Sequence, residues 1–176
     1  MTNASISAMT IARLLTCGMA AGLSAQSHQA SGDGPQIWLH GQARMVVKDA
    51  VNGALRRLGM ATCQLVLQDF LDASARPLKA RLEALGQTAP GYLASMYFVD
   101  GDDAPQCRLH YERAAFTEPG SRVIHVCAWK FAKQFARRPA GGEILVIHEL
   151  LHSLGLGENP PTSATITERV RLRCGD

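Results

Sequence analysis

Apolar residues recur at helical spacing through residues 41–58. Val47, Val51, Ala54 and Leu58 follow one another at intervals of three or four residues, with arginine and lysine among the positions between them. This pattern is typical of a helix that buries one face and exposes the other. The segment therefore predicts a long amphipathic helix.

A second apolar stripe runs through residues 141–154 and also predicts a helix. Isoleucine, leucine and valine fill most of its positions, so this helix is expected to be buried. Gly155 follows directly, and glycine commonly supplies the left-handed residue that ends a helix.

Three shorter segments have the composition of β-strands, namely residues 63–70, 92–99 and 122–127. Between the first two, Pro77 begins a short helix that ends near Gly86. These segments predict a small sheet.

Three further segments complete the predicted fold. Residues 108–116 form a strand or an irregular loop, and the basic residues 129–139 form a surface helix or loop. Thr162 or Ser163 can cap a last helix that continues to about Arg173. The pattern predicts an α+β fold in which a small twisted sheet packs on the N-terminal helix and a central helix, with a short C-terminal helix.

The chain divides into three parts. Residues 1–25 are read as a cleavable secretory signal, because a short apolar run follows a single arginine and small residues precede Gln26. That run is too short to span a bilayer, so no stable membrane insertion is expected after cleavage. A lipoprotein cut before Cys17 is an alternative. Residues 26–40 form a flexible lead-in, and residues 41–176 form a single domain.

Composition and charge exclude few classes of function. The net charge of +3 over 176 residues is mild. Because the charge is so mild, nucleic acid is not an expected partner.

Cysteine content agrees with export. Once Cys17 is removed with the signal, Cys63, Cys107, Cys127 and Cys174 remain and can form two disulfides in three possible pairings. We favour Cys107 with Cys127 and Cys63 with Cys174. No two of these cysteines are close enough in sequence to suggest a zinc site.

The pattern His-Glu-x-x-His lies inside the central helix. His148 and His152 are one turn apart on the same face, so both imidazoles can reach one metal ion. Glu149 lies beside that face and can contact a water molecule on the ion. The alternative is two core histidines that hydrogen-bond to backbone.

This stretch resembles the active-site helix of the zincin metallopeptidases, above all the metzincin form His-Glu-x-x-His-x-x-Gly-x-x-His/Asp. Gly155 matches the glycine that ends that helix, and Glu158 occupies the position of the third ligand. The chain departs from metzincins by having Glu at that position and no methionine after His152. The resemblance implies a zincin-like fold and a Zn²⁺ cofactor.

Two glutamates compete to be the third zinc ligand. Glu158 fits the metzincin plan, because Gly155 allows the chain to reverse towards the histidines. Glu168 fits a plan in which the following helix presents the ligand, as in gluzincins. We favour Glu158.

The resemblance implies hydrolysis of peptide bonds in a peptide or protein substrate, with Glu149 as the general base. A sheet-edge strand beside the helix would pair with the extended substrate, and residues 122–127 are one candidate. Five side chains are candidates to stabilise the oxyanion: His40, His110, His125, Tyr97 and Tyr111.

Other functions share parts of this pattern. Peptide deformylases use the same helical motif but take a cysteine ligand from a stretch absent here, and bacterial RNA-maturation proteins with a similar motif lack the glutamate base. The main expectation is a secreted or periplasmic zinc peptidase. Its alternative is a secreted binding module whose metal is structural or absent.

Overall fold

The computed structural model describes residues 34–175 of the chain. Along these residues the elements are β1 (Gln36–Trp38), α1 (Gly41–Leu58), α2 (Ala61–Gln64), α3 (Val66–Asp69), α4 (Leu78–Ala84), α5 (Ala89–Ala94), β2 (Tyr97–Asp100), α6 (Pro105–Leu109), β3 (Ala115–Thr117), β4 (Val123–Val126), α7 (Ala128–Phe135), α8 (Pro139–Ser153) and α9 (Ser163–Cys174). The fold is α+β, as the sequence predicts.

Helix α8 lies at the centre of the described residues. Every residue from Val146 to Ser153 is buried, because α1, α7, α9 and β3 pack around it. A helix that is apolar on nearly all sides must be covered in this way. The expectation of a buried helix over residues 141–154 is confirmed to within two residues at each end.

Helix α1 packs closely against α8 through small residues. A side chain on Gly142 would come within 3.1 Å of the Ala50 Cβ, and one on Gly53 would overlap the Glu143 carboxylate. That carboxylate instead accepts a hydrogen bond of 2.6 Å from Arg57 Nε. The buried face of α1 is the one that its helical spacing predicts.

The sheet has four strands in the order β1-β2-β4-β3. Strands β1, β2 and β4 are parallel, whereas β3 runs antiparallel to β4 and lies at one edge. Phe98 and Ile124 are paired in register, and both are almost completely buried. Packing of α8 against β3 places the edge strand beside the His-Glu-x-x-His motif.

The expected strand over residues 63–70 is wrong, because this segment forms the two short helices α2 and α3. Its buried residues are Cys63, Val66, Leu67 and Phe70. Those positions are separated by helical intervals, so one side of a helical segment faces the core.

Two further boundaries differ from the expectations. Residues 36–38 form strand β1, and Leu39 is fully buried, so the flexible lead-in does not extend to residue 40. The strand expected over residues 92–99 begins only at Tyr97. Before it, the Thr88 hydroxyl caps the N-terminus of α5 by accepting a hydrogen bond from the Gly91 N–H.

Other expectations are confirmed. Strand β4 falls within residues 122–127, the short helix after Pro77 is α4, and Thr162 caps α9. Residues 108–116 contain the end of α6, an irregular segment and the start of β3.

Two disulfides join distant parts of the chain, and both have the pairing that we favour. Cys63 of α2 is bonded to Cys174 at the end of α9, and Cys107 of α6 is bonded to Cys127 before α7. Within the described residues, no helix has the length and apolar character needed to cross a membrane. The expected signal at residues 1–25 lies outside the described residues and stays a prediction.

Candidate metal and catalytic site

Two buried histidines face each other on α8. The Nε2 atoms of His148 and His152 are 3.0 Å apart, and both residues are at most 6 % exposed. Their separation of four residues puts both rings on one face of the helix.

The other ring nitrogens have partners outside α8. His152 Nδ1 lies 2.8 Å from the Leu156 carbonyl oxygen, which can only accept, so this nitrogen carries the proton. In its neutral form this ring therefore presents the lone pair of Nε2. His148 Nδ1 lies 2.9 Å from Thr167 Oγ1 of α9, and that hydroxyl can donate or accept.

Thr167 thus suits His148 in either tautomer. With a proton on His148 Nε2, that proton is donated to His152, and the Thr167 hydroxyl donates to Nδ1. When both Nε2 atoms bind one metal ion, the proton of His148 lies on Nδ1, and the Thr167 hydroxyl accepts a hydrogen bond from it. Burial lowers the pKa of His148 to about 3, and the charge of His152 lowers it as well, so the ring stays neutral near pH 7.

The end of α8 determines where the third donor lies. The Leu156 N–H donates to the Leu151 carbonyl and the Gly155 N–H donates to the His152 carbonyl, which together form a Schellman motif. Gly155 has a φ of +105° there, a conformation that L side chains rarely adopt. The chain then reverses and carries Glu158 back to the histidines.

Glu158 completes a group of three donors. Its Oε1 atom is 3.7 Å from His152 Nε2 and 3.9 Å from His148 Nε2. The three ligand atoms lie within 4.8 Å of one another, so the group could hold a metal ion. Glu168, the competing candidate, is exposed on α9 and is not part of this group.

The carboxyl group of Glu149 is buried next to this group. It is 4 % exposed, and its Oε2 atom has no hydrogen-bond partner among the described residues. Burial raises its pKa to about 8, with a further contribution from the charge of Glu158. The Thr117 hydroxyl and Arg113 lower the pKa of Glu149. The hydroxyl oxygen of Thr117 nevertheless has no hydrogen-bond partner among the described residues.

The histidines and both glutamates line one cavity of about 790 Å³. Strand β3 and the residues that flank it form another wall of this cavity. Residues 122–127 were one candidate for the substrate-binding edge, and this candidate is wrong, because β4 has β2 on one side and β3 on the other. The edge strand beside α8 is β3.

Of the five candidates for the oxyanion, His110 lines this cavity. His125 stacks on Phe116 at a centroid distance of 4.7 Å, and Tyr97 contacts the ring of Trp38. Tyr111 lines a neighbouring groove. His40 is exposed and lines neither surface.

Sequence reasoning missed two residues of the site. Arg113 lines the cavity and lowers the pKa of Glu149, and Thr167 contacts His148. Arg113 precedes a strand of three residues that the sequence pattern did not resolve. Thr167 has no local feature that separates it from its neighbour Thr165.

The candidate site is thus described from contacts within this chain alone. Comparison of the chain with protein-family models, with curated proteins and with solved structures finds no match.

Proposed function

We propose that this protein is an exported zinc peptidase with a zincin-like arrangement of helix and edge strand. One observation supports this most strongly: a buried carboxyl group with an unpaired oxygen lies beside two histidines and a glutamate in a single cavity. A buried polar atom without a partner is unusual in proteins and often marks a functional site.

The donor set favours zinc. Zinc sites with catalytic roles commonly combine histidine nitrogens with a carboxylate and leave one position open. Zn–N bonds of about 2.0–2.1 Å at a tetrahedral angle place donor atoms roughly 3.3 Å apart. The separations of 3.0, 3.7 and 3.9 Å lie on both sides of that value.

His148, His152 and Glu158 would hold the ion, and the partners of the two Nδ1 atoms would orient the rings. Bound zinc activates a water molecule, polarises a carbonyl group and favours the ionised form of a nearby carboxyl. Glu149 then takes a proton from the attacking water and delivers it to the nitrogen of the leaving amine.

The substrate backbone would pair with β3. Among residues 34–175 this strand pairs with one strand, β4, so its other side is proposed to receive an extended chain. Arg113 lies two residues before the start of this strand and lines the cavity. We assign its guanidinium the role of stabilising the negative charge that develops on the carbonyl oxygen.

Export accounts for the cysteines. Two disulfides are compatible with an oxidising compartment outside the cytosol. The proposed signal peptide supplies the route.

The first prediction tests the peptidase function through Glu149→Gln. Loss of the general base is expected to lower kcat/KM on a peptide-library substrate by about 10²–10⁴-fold, with zinc content and fold unchanged. Metal analysis and circular dichroism check the second part. Glu168→Gln, which changes an exposed carboxylate on α9, is the matched control.

Near-normal turnover by Glu149→Gln would contradict the mechanism. Stoichiometric zinc in a wild-type protein that cleaves no peptide of the library would instead favour the alternative, a secreted binding module with a structural metal.

A further inference from the structure

A second, strongly basic groove adjoins the candidate catalytic cavity. It has a volume of about 580 Å³ and shares Glu112, Gln134, Phe135, Gly141 and Arg171 with that cavity. Because the two surfaces have these residues in common, a chain bound in the cavity can continue into the groove.

The groove has an unusual balance of charge. Five cationic side chains line it: Lys130, Lys133, Arg137, Arg138 and Arg171. Among its described lining residues, Glu112 is the one acid. Like charges collected on one surface attract a ligand of opposite charge and repel one another in its absence.

Three of these cations are available for a ligand. Lys133, Arg137 and Arg138 are exposed, and none of the ion pairs between described residues involves them. Elsewhere the described arginines are often paired, as Arg57 is with Glu143. The three basic residues therefore carry charge that the fold itself does not neutralise.

An aromatic side chain adds contact area to the groove. Trp129 is 60 % exposed, and Lys133 Nζ lies 4.6 Å from the centre of its ring. Lys130 donates hydrogen bonds to the carbonyl groups of Cys107 and His110. The disulfide of Cys107 with Cys127 holds the same wall of the groove.

We infer that the groove binds an acidic segment of the polypeptide substrate, next to the bond that is cleaved. This inference rests on the proposed peptidase function and specifies its substrate class.

The charges of the cavity favour a peptide over a nucleic acid. Glu112, Glu118 and Glu158 line the cavity together with Arg113 and Arg171, so a polyanion charged along its whole length would meet more carboxylates there than in the groove, where Glu112 is the one acid among the described lining residues. A peptide can place carboxylates in the groove and uncharged residues in the cavity. Each carboxylate can accept hydrogen bonds from a guanidinium or an ammonium group.

The test measures binding separately from hydrolysis. The full-length Glu149→Gln protein is titrated, by fluorescence anisotropy, with a short glutamate-rich peptide and with the same peptide carrying glutamine at those positions. The glutamate form is expected to bind at least about tenfold more tightly, and added salt should remove the difference. Adding Arg137→Gln and Arg138→Gln should weaken binding of the glutamate peptide by roughly five- to tenfold.

The matched control removes two charges elsewhere. Arg44 and Lys48 are exposed on α1 and line neither the cavity nor the groove. Arg44→Gln with Lys48→Gln in the same Glu149→Gln protein is expected to leave the affinity for both peptides within about twofold, because screened charges at a distance contribute little. Equal unfolding temperatures would show that both double variants are folded.

The outcomes separate the two proposals. Equal affinity for both peptides, or equal losses in the groove and control variants, would overturn the inference even if the wild type hydrolyses peptides. Tighter binding of a single-stranded oligonucleotide of matched charge would overturn it in favour of a nucleic-acid ligand. Selective binding of the glutamate peptide, with no cleavage by the wild type, would retain the acidic ligand and overturn the peptidase function. Selective binding together with a higher kcat/KM for the glutamate peptide would support both.

Discussion

At the scale of single residues, the candidate metal site depends on contacts made outside its helix. The Leu156 carbonyl determines the tautomer of His152, and the Thr167 hydroxyl accommodates either tautomer of His148. Both rings can therefore present Nε2 to one ion without a rearrangement of their neighbours. Contacts of this kind usually change metal affinity by about 10–100-fold when they are removed.

The second prediction concerns the third ligand. Glu158→Ala is expected to lower zinc affinity by well over tenfold, because the site loses the donor whose oxygen lies 3.7 Å from His152 Nε2. Glu168→Ala should change the affinity little, since this side chain is exposed and lies outside the donor group. Competition with a chromogenic chelator at neutral pH measures both. Loss of the metal from Glu168→Ala alone would show that this assignment is wrong.

At the scale of elements, the ends of helices position the functional groups. The Schellman motif after α8 presents the Leu156 carbonyl to His152 and reverses the chain towards the cavity. Helix α9 contributes Thr167 and is held to α3 by Arg173, whose guanidinium makes two hydrogen bonds to the Asp69 carboxylate at 2.7 and 2.8 Å. The Schellman motif and the pairing of Arg173 with Asp69 can be tested separately.

The third prediction is that Gly155→Ala weakens both the fold and the metal site. A Cβ at this position would be 3.4 Å from the Asp72 Cβ, which is an ordinary contact, so the cost comes from the φ of +105°. The free energy of unfolding should fall by about 1–3 kcal/mol, and zinc affinity should fall as the Leu156 carbonyl shifts.

Chemical denaturation and chelator competition check these effects. Gly157→Ala is the control, because Gly157 is exposed, has no positive φ and leaves open space of at least 4 Å around the position that a Cβ would take. Equal stability of the two variants would contradict the proposed role of the Schellman motif.

The fourth prediction concerns pH and the pairing of α3 with α9. The hydrogen bond from Arg173 is the main cause that lowers the pKa of Asp69 below 3.8, and the charges of Arg173 and Arg169 act in the same direction. The pairing therefore stabilises the fold above the pKa of the unfolded state. This contribution is lost as the pH falls through the lower pKa of the folded state.

Asp69→Asn should accordingly be less stable than the wild type near pH 7, and the difference should shrink below about pH 4. Urea denaturation across this pH range measures it. Asp49→Asn, on the exposed side of α1, is the control for loss of a carboxylate. A stability difference that does not depend on pH would rule out this explanation.

At the scale of the whole molecule, two disulfides connect the surroundings of the site. One joins residues 111 positions apart and attaches the end of α9 to α2. The other spans 20 positions and connects α6 to the start of α7, beside the basic groove. Cross-links over such loops stabilise a fold mainly by restricting the unfolded chain.

The fifth prediction is that thiol titration of the denatured, unreduced mature protein detects no free thiol. Replacing Cys63 and Cys174 together by serine should lower the free energy of unfolding by roughly 2–5 kcal/mol. The same measurement on a variant with Cys107 and Cys127 replaced should give a smaller loss, because its loop is shorter. Two or more free thiols in the wild type would contradict both the disulfides and the export proposal.

Features that depend on near neighbours in the chain could be predicted from the sequence. Helices α1 and α8 follow from apolar residues at intervals of three and four, and Gly155 marks the end of α8. The pairing of His148 with His152 follows from the same periodicity, because residues four apart share a helix face. These features need no knowledge of how distant segments pack.

Features that depend on distant segments could not be predicted in this way and became visible in the folded chain. The spacing of apolar residues in 63–70 did not identify the face that packs on the core. Residues 36–38 form a strand only because β2 lies beside them. Sheet order puts β4 between two strands. Chain reversal after α8 brings Glu158, and not Glu168, into one group with the two histidines. The effect of Arg113 on the pKa of Glu149 also joins segments far apart in the chain. The physical reason is that strand pairing and cavity walls join residues far apart in sequence, whereas helical periodicity is local.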